Sequence, residues 1–165
     1  MTPFALVVPF DDLAPVVDEL REQTCVTKPS HGMPPHVTLL VPSPGEPEAI
    51  ADALAPFAPF GVAFERLDRF PGTLWLAPEP AEVFVEMIEA LTRRFPDHPP
   101  YGGAYPRIVP HLTIAQADFD AAIATAESWL PLHARAECAV LFEQPEPDRW
   151  RGAARFDLGG RQCLS

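Results

Sequence analysis

Two short stretches of the chain carry the same pattern of proline, histidine, an apolar residue and threonine. They are Pro35-His36-Val37-Thr38 and Pro110-His111-Leu112-Thr113, and each opens an apolar run with strand character. Chance accounts poorly for the repetition, because about 0.03 such tetrads are expected in a chain of this composition. Side chains alternate between the two faces of a strand. Each copy is therefore expected to turn its histidine and threonine toward a cleft and its apolar residues toward the core.

Two imidazoles that face each other across a cleft suit in-line displacement at phosphorus. One imidazole takes a proton from the attacking oxygen, and the other gives a proton to the leaving oxygen. Both steps fit an imidazole, whose unperturbed pKa lies near 6.5. The threonine hydroxyls can donate hydrogen bonds to the non-bridging phosphoryl oxygens and stabilise their charge. This chemistry requires no metal ion, so we expect neither a metal site nor a cofactor.

The elements around the motifs occur twice in the same order: strand, helix, motif strand, helix, strand. Apolar periodicity and turn residues predict a helix that Asp11 or Asp12 caps and that runs to about Cys25. Further helices are expected at 46–57, 81–95 and 118–130, with strands at 3–9, 36–42, 61–70, 73–78, 107–116, 133–143 and 150–158. The two histidines are 75 residues apart and the two leading strands 69. Such similar offsets indicate an internal duplication.

We therefore predict an α+β fold in a single domain of two pseudo-symmetric lobes, with approximate repeats at 1–72 and 73–165. Two antiparallel or mixed sheets would face a central cleft, with the helices on the outside. A pseudo-twofold axis would then bring His36 opposite His111.

The doubled motif, with the strand and helix order around it, resembles the 2H phosphoesterase superfamily, which is named for two His-x-Thr/Ser motifs. The chain is most similar to its bacterial branch, the 2'-5' RNA ligase or RNA 2',3'-cyclic phosphodiesterase family. The resemblance covers nearly the whole chain. It implies a bilobal fold and metal-independent hydrolysis of a 2',3'-cyclic phosphate or a 2'-5' phosphodiester, with ligation as the reverse reaction. It also implies catalysis by His36 and His111, and phosphate binding by Thr38 and Thr113.

Charge and composition limit the partners that we expect. The chain has 12 basic and 23 acidic residues, for a net charge of −11, and Lys28 is its single lysine. Binding along a nucleic-acid backbone needs clustered cations, so we expect a small nucleotide or an RNA end and no long nucleic acid. The odd set of Cys25, Cys138 and Cys163 suits a reducing cytoplasm. We expect a cytoplasmic monomer without a signal peptide or membrane span.

Two further residues border the second motif. Tyr105 could stack on a base and Arg107 could pair with a phosphate, while loop packing and a surface charge explain them equally well. His31, His98 and His133 are expected to be solvated or locally hydrogen-bonded. The alternative to an enzyme is a non-catalytic module that binds a nucleotide or RNA end and keeps the phosphate pocket. A nucleotidyl ligase is disfavoured, because the chain has neither a Walker loop nor a motif for an adenylated lysine.

Overall fold

A computed structural model describes residues 2–24, 32–104, 107–117 and 119–159. The strands are β1 (Phe4–Pro9), β2 (His36–Leu40), β3 (Phe60–Phe70), β4 (Thr73–Glu79), β5 (Leu112–Ala115), β6 (Leu132–Ala136), β7 (Cys138–Glu146) and β8 (Arg149–Asp157). The helices are α1 (Ala14–Thr24), α2 (Pro47–Leu54), α3 (Ala81–Arg94) and α4 (Asp120–Glu127). Short 3-10 turns lie at Asp11–Leu13 and Pro100–Gly103. No helix within these described ranges is long and apolar enough to cross a membrane.

The α+β class is confirmed, but the two expected sheets are one. The eight strands form a single sheet in the order β6-β3-β4-β5-β2-β1-β7-β8, and each neighbouring pair is antiparallel. Its two halves meet at β2 and β5, whose register contains the one pair Val37↔Leu112. The motif strands are edge strands of their own halves, so their free backbone groups can pair with each other.

The strand order is symmetric about this junction. In the outer positions, β3 from the end of the first predicted repeat pairs with β4, and β7 from the second repeat pairs with β1. In each half of the sheet, the leading strand of one repeat thus pairs with a later strand of the other repeat. This symmetry supports the predicted duplication at 1–72 and 73–165, which stays a prediction.

The connection between β6 and β7 shows that the sheet is strongly curled. Only Glu137 separates these strands in the chain, whereas five strands separate them in the sheet. One residue spans about 3.5 Å, but a flat sheet would hold the two strands about 29 Å apart. The sequence prediction of one strand at 133–143 was wrong for this reason: the chain stays extended with no turn residue at Glu137, while its pairing partner changes from β3 to β1.

The second motif strand is also shorter than the predicted 107–116. Of its described residues, only Leu112–Ala115 are paired in the sheet. Pro110 has no backbone N–H to donate to a ladder, and Ile108 and Val109 remain exposed. Residues 107–111 therefore approach the sheet as a loop.

One face of the sheet packs against the helices and forms the main core. The inward residues of both motif strands, Val37, Leu39, Leu112 and Ile114, are at most 1% exposed. Helix α3 contributes the stripe that its helical spacing predicts, Phe84, Met87, Ile88 and Leu91. The core thus holds the two motif strands rigidly from behind and leaves their other face for polar side chains.

Candidate active site

The register of β2 against β5 sets the arrangement of the four motif side chains. Val37 pairs with Leu112, so antiparallel alternation places His36 beside Thr113 and Thr38 beside His111. All four side chains lie on the face away from the core. Each histidine thus faces the threonine of the other motif, and the two imidazoles are diagonal neighbours. The sequence predicted that His36 and His111 lie opposite each other across a cleft between two sheets. Because the motif strands are neighbours in one continuous sheet, the two histidines are diagonal neighbours instead.

Both imidazoles are oriented by the same backbone contact. The Nδ1 atom of His36 lies 2.8 Å from the carbonyl oxygen of Pro34, and that of His111 lies 2.8 Å from the carbonyl oxygen of Val109. A carbonyl oxygen only accepts hydrogen bonds, so each Nδ1–H must donate. The neutral tautomer of each ring therefore carries its lone pair on Nε2, the nitrogen left to accept or release a proton toward a ligand.

Burial lowers the pKa of both histidines. For His36, desolvation lowers the pKa most, the hydrogen bond to Pro34 opposes it, and the charge of His111 lowers it further. For His111, desolvation again lowers the pKa and the bond to Val109 opposes it. Because a proton on His111 disfavours a second one on His36, the pair favours states with no proton or one.

Two cavities meet at the motif side chains. A small cavity of about 240 Å³ is lined by His36 and Thr113. A large cavity of about 990 Å³ is lined by Thr38, His111 and Thr113. Thr113 borders both, so the histidines open into adjoining spaces that a single phosphoryl group could bridge.

Aromatic rings surround His111, and no sequence motif predicted them as part of the site. Its ring centroid lies 5.2 Å from that of Phe70 and 5.7 Å from that of Trp75, both in edge contact, and 6.5 Å from that of Tyr101, which is nearly parallel. Trp75 is buried, with 4% of its surface exposed. The register Trp75↔Thr113 places it in the row that runs through Thr113 to His36. Only this pairing shows that Trp75 shares the motif face.

Tyr101 is held in place by its backbone. Its φ of 53° lies in the left-handed region that non-glycine residues seldom adopt, and its N–H donates to the carbonyl oxygen of Val41 at 2.8 Å. That bond ties the 3-10 turn to the end of β2. The ring is 38% exposed and lines the large cavity.

The remaining predicted residues divide between the site, other surfaces and undescribed positions. Arg107 is exposed and lines the large cavity, whereas Tyr105 lies outside the described residues. His98 contacts the ring of Phe95 instead of the motif cluster, and His133 is exposed on β6. His31, Lys28, Cys25 and Cys163 also lie outside the described ranges, and Cys138 is a buried thiol.

No group of three or more His, Cys, Asp or Glu side chains within the described part of the chain could hold a metal ion. The donors that converge at the motif face are instead two imidazoles and two hydroxyls.

Comparison with known proteins gives a family and a fold. The 2'-5' RNA ligase superfamily matches residues 9–148. The structure of TT0787 from Thermus thermophilus superposes with a TM-score of 0.67 at 18% identity, covering 98% of this chain and 100% of that one. Escherichia coli LigT in apo form gives 0.63 at 13% identity, over 95% and 97%. LigT complexed with 3'-AMP gives 0.60 at 14%, over 95% and 98%.

No curated protein shows significant sequence similarity to the chain. The family match nevertheless spans most of the sequence, includes both His-x-Thr motifs and agrees with the fold of the solved structures. The resemblance that the doubled motif carries is thereby confirmed, and the chain belongs to the 2'-5' RNA ligase superfamily.

Proposed function

We propose that the protein is a metal-independent phosphodiesterase that hydrolyses a 2',3'-cyclic phosphate or a 2'-5' phosphodiester of a nucleotide or RNA end. The observation that carries the proposal is the crossed pair of motifs, in which each histidine stands beside the other motif's threonine. The Nδ1 of each histidine is bonded to a backbone carbonyl, so that Nε2 is the reactive nitrogen. Family membership in a group of phosphoesterases and ligases supports this class of chemistry.

In the proposed reaction the two histidines act on opposite oxygens of one phosphorus. One neutral imidazole accepts a proton at Nε2 from the attacking water, and the other, protonated at Nε2, donates its proton to the leaving oxygen. One P–O bond forms and one breaks, and the proton count is restored when the two histidines exchange their protonation states through solvent. Which histidine starts as the base depends on the orientation of the substrate. Ligation is the same path reversed.

Thr38 and Thr113 are the proposed phosphate-binding residues. Their hydroxyls lie on the same face as the imidazoles and border the cavities into which His36 and His111 open. A hydroxyl that donates to a non-bridging oxygen stabilises the charge that develops in the transition state. Because the rigid strand pair holds both hydroxyls, little reorganisation is required during the reaction.

The titration of the histidines favours catalysis over static binding. A module that only holds a phosphate gains most from imidazoles that are charged at neutral pH. Here burial lowers the pKa of both His36 and His111, which favours the neutral form that a general base needs. A non-catalytic binding module therefore fits the site less well than an enzyme does.

The size and charge of the site favour a small nucleotide or an RNA end. The large cavity, at about 990 Å³, lies within the range of small-molecule sites, and the net charge of −11 opposes binding along an RNA backbone. LigT, a structural neighbour, is known in complex with 3'-AMP and with NADP⁺. For this chain we propose that the phosphate of a nucleotide binds at His36, Thr38, His111 and Thr113.

A substrate panel tests the proposal. The wild type and the His36→Ala/His111→Ala variant are incubated in EDTA with 2',3'-cyclic nucleotides, 2'-5' dinucleotides and ADP-ribose cyclic phosphate. Cleavage of at least one compound by the wild type, with no cleavage by the double variant, supports a metal-independent diesterase. Stoichiometric binding of a nucleotide without turnover by the wild type would instead establish the binding module.

A further inference from the structure

We propose that Arg93 and Arg107 form a second phosphate-binding subsite in the large cavity. The substrate would then be a nucleotide that carries a second phosphate group besides the scissile phosphodiester. The inference rests on the proposed function, because it takes the motif cluster of His36, Thr38, His111 and Thr113 as the place of the scissile phosphate.

The large cavity extends well beyond the motif cluster. Its volume of about 990 Å³ is at the upper end of the range for small-molecule sites, about 300 to 1,000 Å³. The motif side chains line only one part of it, and most of the rest is lined by the C-terminal half of α3, the β3–β4 turn, the 3-10 turn and residues 107–109. There is room for a ligand considerably larger than a cyclic phosphate group alone.

The cations in this cavity differ from most arginines of the described chain. Six arginines have a carboxylate oxygen within 4.0 Å, namely Arg21, Arg66, Arg135, Arg149, Arg151 and Arg155. Of the described arginines, Arg69, Arg93, Arg94 and Arg107 have no such partner among the described residues, and of these four Arg93 and Arg107 line the large cavity. In a protein with a net charge of −11, two cations without carboxylate partners in one cavity indicate an anionic ligand group, and guanidinium binds phosphate well.

The position of Arg93 in the last turn of α3 does not by itself explain its place in the cavity. A cation in that turn interacts favourably with the helix dipole. Arg94 lies in the same turn and makes the same interaction, so the helix dipole does not require Arg93. Arg94 lies over the ring of Phe95 at 5.5 Å and does not line the cavity. Glu89, one turn earlier on α3, also lines the cavity. Its carboxylate opposes an anion, so both arginines are needed to give the subsite a positive charge.

Apolar side chains supply the contacts for the nucleoside. Four of the five large hydrophobic residues that are exposed in the described ranges line this cavity, namely Phe70, Tyr101, Ile108 and Val109. Aromatic faces stack on bases regardless of their identity. The cavity thus joins a phosphoryl site, an apolar surface and two arginines, which together match a nucleotide with two phosphates.

Calorimetric binding to the folded chain tests the subsite independently of turnover. The ligand pairs are 3'-AMP against adenosine 3',5'-bisphosphate and 2'-AMP against adenosine 2',5'-bisphosphate. In at least one pair we expect the wild type to bind the bisphosphate about 10-fold more tightly, as a charge-assisted contact predicts. Arg93→Gln and Arg107→Gln should each remove most of that preference, because each weakens the binding of the bisphosphate more than the binding of the monophosphate. The matched control Arg94→Gln should keep the preference.

Equal binding of mono- and bisphosphate by the wild type in both pairs would overturn the subsite. So would retention of the preference in both Arg93→Gln and Arg107→Gln, or its loss in Arg94→Gln as well. An equal loss for both ligands in Arg93→Gln would also overturn it, since that variant would then act on the site as a whole. The proposed function fails separately, if the wild type binds the bisphosphate preferentially but cleaves no phosphodiester in the substrate panel.

Discussion

Replacement of each motif histidine by asparagine gives a sharp test of the proposed chemistry. The amide nitrogen of asparagine can occupy the place of Nδ1 and keep the hydrogen bond to the carbonyl oxygen of Pro34 or Val109. It has no atom at the position of Nε2, where we place the proton transfer. His36→Asn and His111→Asn should therefore fold normally and lose activity. Each acid or base role contributes about 10²- to 10⁴-fold in rate, which is about 2.7 to 5.4 kcal/mol of barrier.

The test measures kcat/KM for the best substrate of the panel, with His133→Asn as the matched control. His133 is exposed on β6, far from the motif pair in the strand order, so its replacement should leave kcat/KM within about twofold, as surface changes usually do. The kcat/KM of the double variant should be little lower than that of the less active single variant. The two histidines act in one displacement, and the effects of such residues are not additive. A folded His36→Asn or His111→Asn protein that keeps more than about a tenth of wild-type activity would refute the reasoning.

Four further outcomes follow from the same geometry. Because the pKa of both His36 and His111 is lowered from 6.5, the singly protonated pair is most populated on the acid side of pH 6.5, and a pH profile of kcat/KM should be bell-shaped with its maximum there. The unfolded chain then binds more protons than the folded one, so urea denaturation should show stability falling as pH decreases below about 6.5, and less so in the asparagine variants. Thr38→Val and Thr113→Val preserve shape but remove a donor, so kcat should fall about 10²-fold with an unchanged melting temperature. Leu112→Ala should cost about 2 to 5 kcal/mol in urea unfolding, because this fully buried side chain lies at the single pair that joins the halves of the sheet.

Local sequence patterns predicted most of the elements because their causes are local. The apolar stripe of α3 and the prolines that bound β1 depend on residues a few positions apart, and they specify the element almost alone. Strand 133–143 was different. Residues 133–143 contain no glycine, proline, asparagine or aspartate, so nothing local shows that pairing changes from β3 to β1 at Glu137.

The aromatic rings around His111 could not be predicted from local sequence patterns either. Phe70, Trp75 and Tyr101 come from the β3–β4 hairpin and a 3-10 turn, at distances of 10 to 41 residues from His111 in the chain. Phe70 and Tyr101 belong to no motif, and the role of Tyr101 depends on a backbone bond to Val41. No spacing rule in the sequence could have brought these rings together.

The sequence by itself determined which side chains carry the proposed chemistry and which face of each motif strand presents them. Alternation along a strand is a property of the backbone, and it required only that each copy of the motif be extended. The tertiary structure decided how the two copies meet. One residue pair, Val37↔Leu112, sets each histidine beside the other motif's threonine. That pairing joins strands 75 residues apart, and their register depends on the packing of the whole core behind them.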